Sequence, residues 1–226
     1  MKSGSIGHKD WEFGPDIAPG FVDHAKKHIP NYEAVIEKCV RYCTLNFDKR
    51  DKIIDVGCAT GYTLTKLHEQ GFTNLYGVDN SKSMIDLAPK DIANYVVSDH
   101  LPKNQYDILL CNWTLHFVKD KKKYIRSIYD NLRNGGAFIL SEKTNNNAEM
   151  TRMYHDRKKN LGVSDEEIQQ KQAQLENVMF IESPEWYQNL LESMGFTVNV
   201  IDADWCFTTW LCRKEQQTDA TYLTGW

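Results

Sequence analysis

From residue 52 onward the chain alternates short β-branched apolar runs with stretches of helical spacing, and no other feature narrows its fold as much. KIIDVG reads as a buried strand, and TGYTLTKLHEQG has helical spacing that stops at Gly71, a residue suited to closing a helix. NLYGVD is a second strand, followed by the helix SKSMIDLA with Ser81 as its cap. ANYVVSD and YDILLCNWTL are further strands, KKKYIRSIYDNLRNGG is a helix closed by Gly135 and Gly136, and AFILSEK is a fifth strand. Such a repeat predicts a parallel sheet with helices on both faces. The polar segment over residues 149–180 interrupts the repeat and predicts a helical insert. SPEWYQNLLESMG is one more helix, with Ser183 as cap and Pro184 in its first turn. FTVNVID and WCFTTWLCR then complete seven strands as an antiparallel hairpin at the sheet edge. The expectation is one α/β, Rossmann-like, doubly wound domain over residues 11–214, with mobile ends at 1–10 and 215–226.

Composition removes several functional classes. No run approaches the roughly 18 apolar residues that a membrane span needs, and the opening lacks the apolar core of a secretory signal, so a cytoplasmic protein is expected. A net charge of −4 argues against a uniformly basic nucleic-acid binder. The local clusters Lys119 with Lys121–Lys123, and Arg152 with Arg157–Lys159, read as solvated helix faces, so an RNA partner is not indicated. Cys39 and Cys43 lie one helical turn apart, but no second ligand pair accompanies them; all six cysteines read as buried free thiols, and no metal is expected.

In open α/β sheets ligands sit beyond the carboxyl ends of the strands. The first strand ends in Asp55-Val56-Gly57-Cys58-Ala59-Thr60-Gly61, where Gly57 admits a ligand close to the backbone and Gly61 opens a helix with free N–H groups. Asp79 ends the second strand 22 residues beyond Gly57, where an acid can accept both ribose hydroxyls. Asp99, followed by His100, ends the third and can accept from an adenine amine; Asn112 and Trp113 end the fourth. Helix capping is the alternative role for the two aspartates. A nicotinamide fingerprint would place a second glycine where Ala59 stands.

The motifs DVGCATG, GVDNSKSMID and LLCNWTLHF resemble the class I fold of methyltransferases that use S-adenosylmethionine (SAM). More narrowly, IPNY, GVDNS, NWTLHF, GGAFILSEK, YHDRKK and QLENVMFIES are similar to the carboxy-SAM synthase family of tRNA wobble-uridine modification, over roughly residues 11–212. That resemblance implies a cytoplasmic homodimer that turns SAM and prephenate into carboxy-SAM. It implies cofactor contacts at Tyr32, Gly57, Cys58, Ala59, Asp79, Asn80, Asp99, His100 and Asn112. The family's carboxylate-clamping Arg corresponds to Gln172 here, a neutral amide in place of a charged fork. Lys171, Arg152 and Arg157 are the candidate substitutes.

Three readings follow. The favoured one is a methyltransferase on this scaffold, with Asn112 and Tyr32 shaping the donor mouth and His155 as candidate base, a packed or surface histidine being the alternative role. The others are a carboxy-SAM synthase and a non-catalytic SAM-binding module. The aromatic hairpin with Trp205, Phe207 and Trp210 is either a dimer surface or packing against the chain's own helices.

Overall fold

The computed structural model describes residues 17–145, 147–175 and 178–216. The sequence-level expectations for residues 1–10 and for most of the tail lie outside them, as do Glu176 and Asn177 of the LENVM segment. Helices α1 (Phe21–His28) and α2 (Tyr32–Asn46) precede the alternating part. It runs β1 (Ile53–Val56), α3 (Tyr62–Glu69), β2 (Leu75–Asp79), α4 (Lys82–Leu87), β3 (Asn94–Val97), β4 (Tyr106–Asn112), α5 (Lys121–Asn131) and β5 (Leu132–Lys143). Helices α6 (Ala148–Asn160) and α7 (Asp165–Leu175) form the insert; α8 (Pro184–Ser193), β6 (Phe196–Asp204) and β7 (Phe207–Lys214) close the described chain.

The seven strands form one sheet in the order β3-β2-β1-β4-β5-β7-β6. All pairs from β3 to β5 are parallel, while β7 runs antiparallel to both β5 and β6. The C-terminal hairpin thus lies at one edge of the sheet, with β7 against β5 and β6 outermost, and β3 forms the other edge. The order reverses at β1/β4, the switch point where ligands of such sheets bind.

Alternation within the strands sends successive side chains to opposite faces. Ile54, Leu109, Phe138 and Leu140 pack with α5 and α8 in one core layer, and Ile53, Ile108, Leu110 and Ile139 with α2 and α3 in the other. Helix starts are fixed locally. Ser81, Asn147 and Ser183 each accept a backbone N–H three residues on, and Asp120 does so from Lys123.

Several sequence-level expectations need correction. The third strand stops at Val97, two residues short of Asp99, because Ser98 donates back to the Asp79 carbonyl and the chain turns. The fourth ends at Asn112 rather than running through Leu115, since Trp113 takes φ +55° and Leu115–Phe117 winds into a 3-10 turn. Arg133 to Gly136 are not the end of a helix: α5 stops at Asn131, and β5 begins at Leu132 with an irregular step in its pairing to β4. Trp210 and Phe207 are buried in the chain's own interior, Trp210 against Tyr187 at 5.2 Å, which removes both from an intermolecular surface. Lys121 and Lys158 are buried as well, so neither basic cluster is wholly a solvated face.

Candidate functional site

A cavity of about 700 Å³ opens beyond the carboxyl ends of β1, β2, β4 and β5, roofed by α1 and the insert. At its floor Gly57 has φ +72°, and a Cβ there would lie 2.0 Å from Thr114 Oγ1, so only glycine fits. Ala59 also takes a positive φ, +47°. Asp79 explains how that turn is held: its Oδ2 accepts from the Ala59 N–H at 2.9 Å and its Oδ1 from the Ser81 N–H at 2.8 Å. Asp79 does not itself cap the next helix, a role Ser81 fills; it holds the turn on either side, and its carboxylate lines the cavity.

Asp55 lies beneath the turn, nearly fully buried. Burial first, and the neighbouring Asp79 charge second, push its carboxyl up to about 8. The side of the cavity nearest α2 is aromatic. Tyr32 stacks on Trp113 at 5.0 Å and on Tyr62 at 5.9 Å between ring centres, and burial drives the Tyr32 hydroxyl well above its ordinary range. Asn112 accepts from Ser141 Oγ at 2.8 Å through its carbonyl, which fixes the amide orientation. Its Nδ2 has no hydrogen-bond partner among the described residues, leaving a donor at the cavity wall.

Of the residues singled out from sequence, Tyr32, Gly57, Cys58, Ala59, Asp79, Asn80, Asn112, His155 and Gln172 line this one cavity. Asp99 and His100 do not. Their side chains are 47% and 40% exposed and approach one another at 3.5 Å in the turn that follows Val97, the last residue of β3. Arg157 donates to the Lys27 carbonyl at 3.2 Å, and Arg152 borders a separate outer groove, so neither reaches the cavity that Gln172 lines. His155 is half-buried, and burial together with Lys158 and Lys143 lowers its basicity. No group of potential metal ligands occurs among the described residues.

Sequence reasoning missed His116 and Glu142. Glu142 is fully buried, and its two oxygens accept the backbone N–H groups of Thr114 (3.1 Å), Leu115 (2.6 Å) and His116 (2.9 Å). The same carboxylate meets His116 Nδ1 at 2.6 Å. A carboxylate that receives so many N–H groups can only accept, so Nδ1 carries the ring proton and Nε2 is left basic. His116 lines the cavity, and Nε2 has no hydrogen-bond partner among the described residues. A buried carboxylate orienting an imidazole toward a substrate cavity is the arrangement of a general base.

A model of the methyltransferase domain matches residues 27–199. The carboxy-SAM synthase of Campylobacter hominis is 31% identical over 91% of this chain and 95% of its own length. That of Nautilia profundicola is 33% identical over 83% and 87%. Among solved structures, a SAM-dependent methyltransferase fold from Methanococcus maripaludis superposes with a TM-score of 0.62 at 21% identity, covering 94% of this chain and 98% of its own. Magnesium protoporphyrin IX methyltransferase from Synechocystis, solved with S-adenosylhomocysteine, gives 0.62 at 14% identity, covering 88% and 97%. At these identities the structural likenesses show a shared fold.

Proposed function

This chain belongs to the methyltransferase-domain family, as a relative of the carboxy-SAM synthases along nearly its whole length and a SAM-dependent transferase, and from that premise we propose that it methylates a protic group on a small second substrate. The observation that carries this reading is the Glu142-held His116, whose free ring nitrogen belongs to the same cavity as the glycine turn. Residues that suit SAM line the same cavity: Gly57 in the turn after β1, Asp79, whose carboxylate is the expected acceptor for ribose hydroxyls, and Asn112, whose amide has a donor with no partner among the described residues. Tyr32 and Trp113 supply aromatic faces, which attract a sulfonium as they attract other cations.

In the reaction the acceptor's lone pair bonds to the methyl carbon as the sulfur–carbon bond breaks, its pair staying on sulfur. His116 Nε2 takes the acceptor's proton and Glu142 stabilises the resulting imidazolium. His116→Gln is expected to leave SAM affinity within about threefold while lowering SAM consumption roughly 10²–10⁴-fold. Equal activity in wild type and variant would refute the assignment. His155, with its lowered basicity and no hydrogen-bonded carboxylate among the described residues, is the weaker candidate.

A second reading, carboxy-SAM synthesis for tRNA uridine modification, is favoured by Lys171. It borders the cavity beside Gln172 and keeps cationic charge where the resemblance expects Arg. Mass spectrometry of the molecule retained by purified protein separates the two: SAM or S-adenosylhomocysteine under the first, a species heavier by one carboxyl group under the second. We place either reaction in the cytoplasm, supported by six buried free cysteines, with homodimer assembly supported by exposed Met153 and Leu161 near Trp205.

Asp55 adds a pH dependence. Its carboxyl is neutral below about 8 in the empty cavity, and a bound sulfonium favours the ionised form. SAM affinity should therefore rise with pH by up to about tenfold per unit and flatten above 8, with proton release on binding. Because the folded value lies above the ordinary carboxyl range, the empty fold loses stability as pH rises from about 4 toward 8. Asp55→Asn should abolish the slope in calorimetric titrations between about pH 6 and 9; an unchanged slope would contradict the account.

A further inference from the structure

Tyr32 is the first residue of α2, so the turn over residues 29–31 between α1 and α2 decides where its ring points. Both ends of that turn are held by distant parts of the chain. Asn31 takes φ +54°, in the left-handed region that asparagine tolerates better than most residues with a Cβ. An asparagine just before a helix ordinarily accepts an N–H of that helix through its side chain. Here its Nδ2 instead donates to Oδ2 of Asp204, the last residue of β6, at 2.9 Å. At the other end, the His28 carbonyl accepts from the Tyr154 hydroxyl at 2.7 Å, and the Lys27 carbonyl from Arg157 at 3.2 Å. The last carbonyls of a helix lack partners within it, so α6 of the insert closes the end of α1.

Tyr154 is itself firmly seated. It is 4% exposed, its ring meets Phe207 edge-on at 5.4 Å, and the Lys158 ammonium lies 4.2 Å from its centre. Ile29 of the turn and Trp113 both pack against the small cluster of Tyr154, Cys206 and Phe207. Trp113 and the turn that delivers Tyr32 therefore share one platform, and the Tyr154 hydroxyl ties the turn to it. The resulting stack of Tyr32 on Trp113 lines the cavity.

We propose that Tyr154 is a positioning residue for the sulfur end of SAM: its hydroxyl sets the α1–α2 turn, opposite the Asn31–Asp204 tether, so that Tyr32 stacks on Trp113 only while α6 rests on α1. This rests on the SAM reading of the cavity and deepens it. The insert then completes the donor side of the site as well as roofing it, and its seating and recognition of the charged sulfur are one event. With the turn released, Gly57 and Asp79 keep their places and the adenosyl part keeps its affinity. A cation is attracted by a ring face only at short range and over the face, whereas the neutral sulfur of S-adenosylhomocysteine gains little from it. Losing the turn's position should therefore separate the two ligands.

The test is binding and needs no acceptor. Tyr154→Phe removes the hydroxyl and keeps the ring on its platform. Wild type and variant are titrated calorimetrically with SAM and with S-adenosylhomocysteine at one pH, where Asp55 contributes alike to both proteins. The variant should bind SAM about fivefold or more weakly and S-adenosylhomocysteine within about twofold of wild type. Asn31→Gly, at an exposed position, keeps access to the left-handed conformation and loses the tether to Asp204. It should shift the ratio of the two affinities in the same direction. Both variants should melt within about 5 °C of wild type, the scale of one lost hydrogen bond in a domain of this size. Equal weakening of both ligands, or an affinity ratio within about twofold of wild type in both variants, would overturn the proposal. Wild-type protein that binds neither ligand would refute the SAM reading on which it rests.

Discussion

Replacing Glu142 by alanine is expected to cost about 3–5 kcal/mol of folding stability and to end turnover, because three backbone N–H groups and the His116 ring would lose their shared acceptor inside the core. For a domain of this size that corresponds to a fall in melting temperature of roughly 10 °C. The effect reaches the site because the Thr114–His116 turn is folded around this carboxylate. Thr114 Oγ1 in turn contacts the Val56 carbonyl at 3.3 Å, and Gly57 follows directly in sequence. Glu142→Gln separates stability from chemistry. One amide oxygen can still accept from the turn, so the variant should melt much nearer wild type, while His116 loses the negative charge that stabilises its protonated form. Thermal melts and SAM consumption of both variants are the check; an alanine variant melting within about one degree of wild type would show that the carboxylate does not organise the turn.

The second large effect falls on Asp79. Its carboxylate holds the Ala59 and Ser81 N–H groups, and in the bound state it is expected to accept the ribose hydroxyls through its remaining lone pairs. Charge-assisted hydrogen bonds of this kind contribute about 1.5–3 kcal/mol each, so Asp79→Ala should weaken SAM several-hundredfold or more. Asp79→Asn, which keeps one acceptor, should fall between. Equilibrium dialysis with labelled SAM gives the ratio, and an alanine variant within about threefold of wild type would remove Asp79 from the binding site.

The parts of this molecule that depend on neighbours in sequence were legible before its structure. The β-branched runs around Ile53, Val78 and Leu109 announced a parallel sheet, and the glycine turn and Asp79 after the next strand line one cavity at its carboxyl edge. The misreadings occurred where tertiary pairing overrides local signals. Gly135 and Gly136 look like a helix stop, yet Ala137 must pair with Ile108, and the strand extends back through the glycines to reach Tyr106. Asp99 follows a strand-like run, but the strand stops at Val97, its last pairing being with Asp79. The antiparallel hairpin at the sheet edge was legible; that β7 rather than β6 lies against β5 follows from packing, since Trp210 and Cys212 belong to the same apolar layer as Phe138 and Leu140.

The chemistry of the second substrate was the least legible part. His116 gains its role from a carboxylate 26 residues away, and nothing in the spelling NWTLHF marks the histidine as oriented. Lys143, Lys158 and Lys171 line the cavity from a strand end and two separate helices, and Lys158 sits in a basic cluster that reads as a solvated face. The Gln172 substitution looked like a loss of cationic charge when taken as one position. In the folded chain Lys143, Lys158 and Lys171 line the same cavity.

The account stands on adenosyl-sulfur compounds seating in the cavity above Gly57. A calorimetric titration of wild-type protein with S-adenosylhomocysteine measures this directly: the expected result is one molecule bound per chain with an affinity in the micromolar range. Absence of any binding heat up to millimolar concentrations, at several temperatures so that a zero-enthalpy crossing is not mistaken for silence, would contradict it.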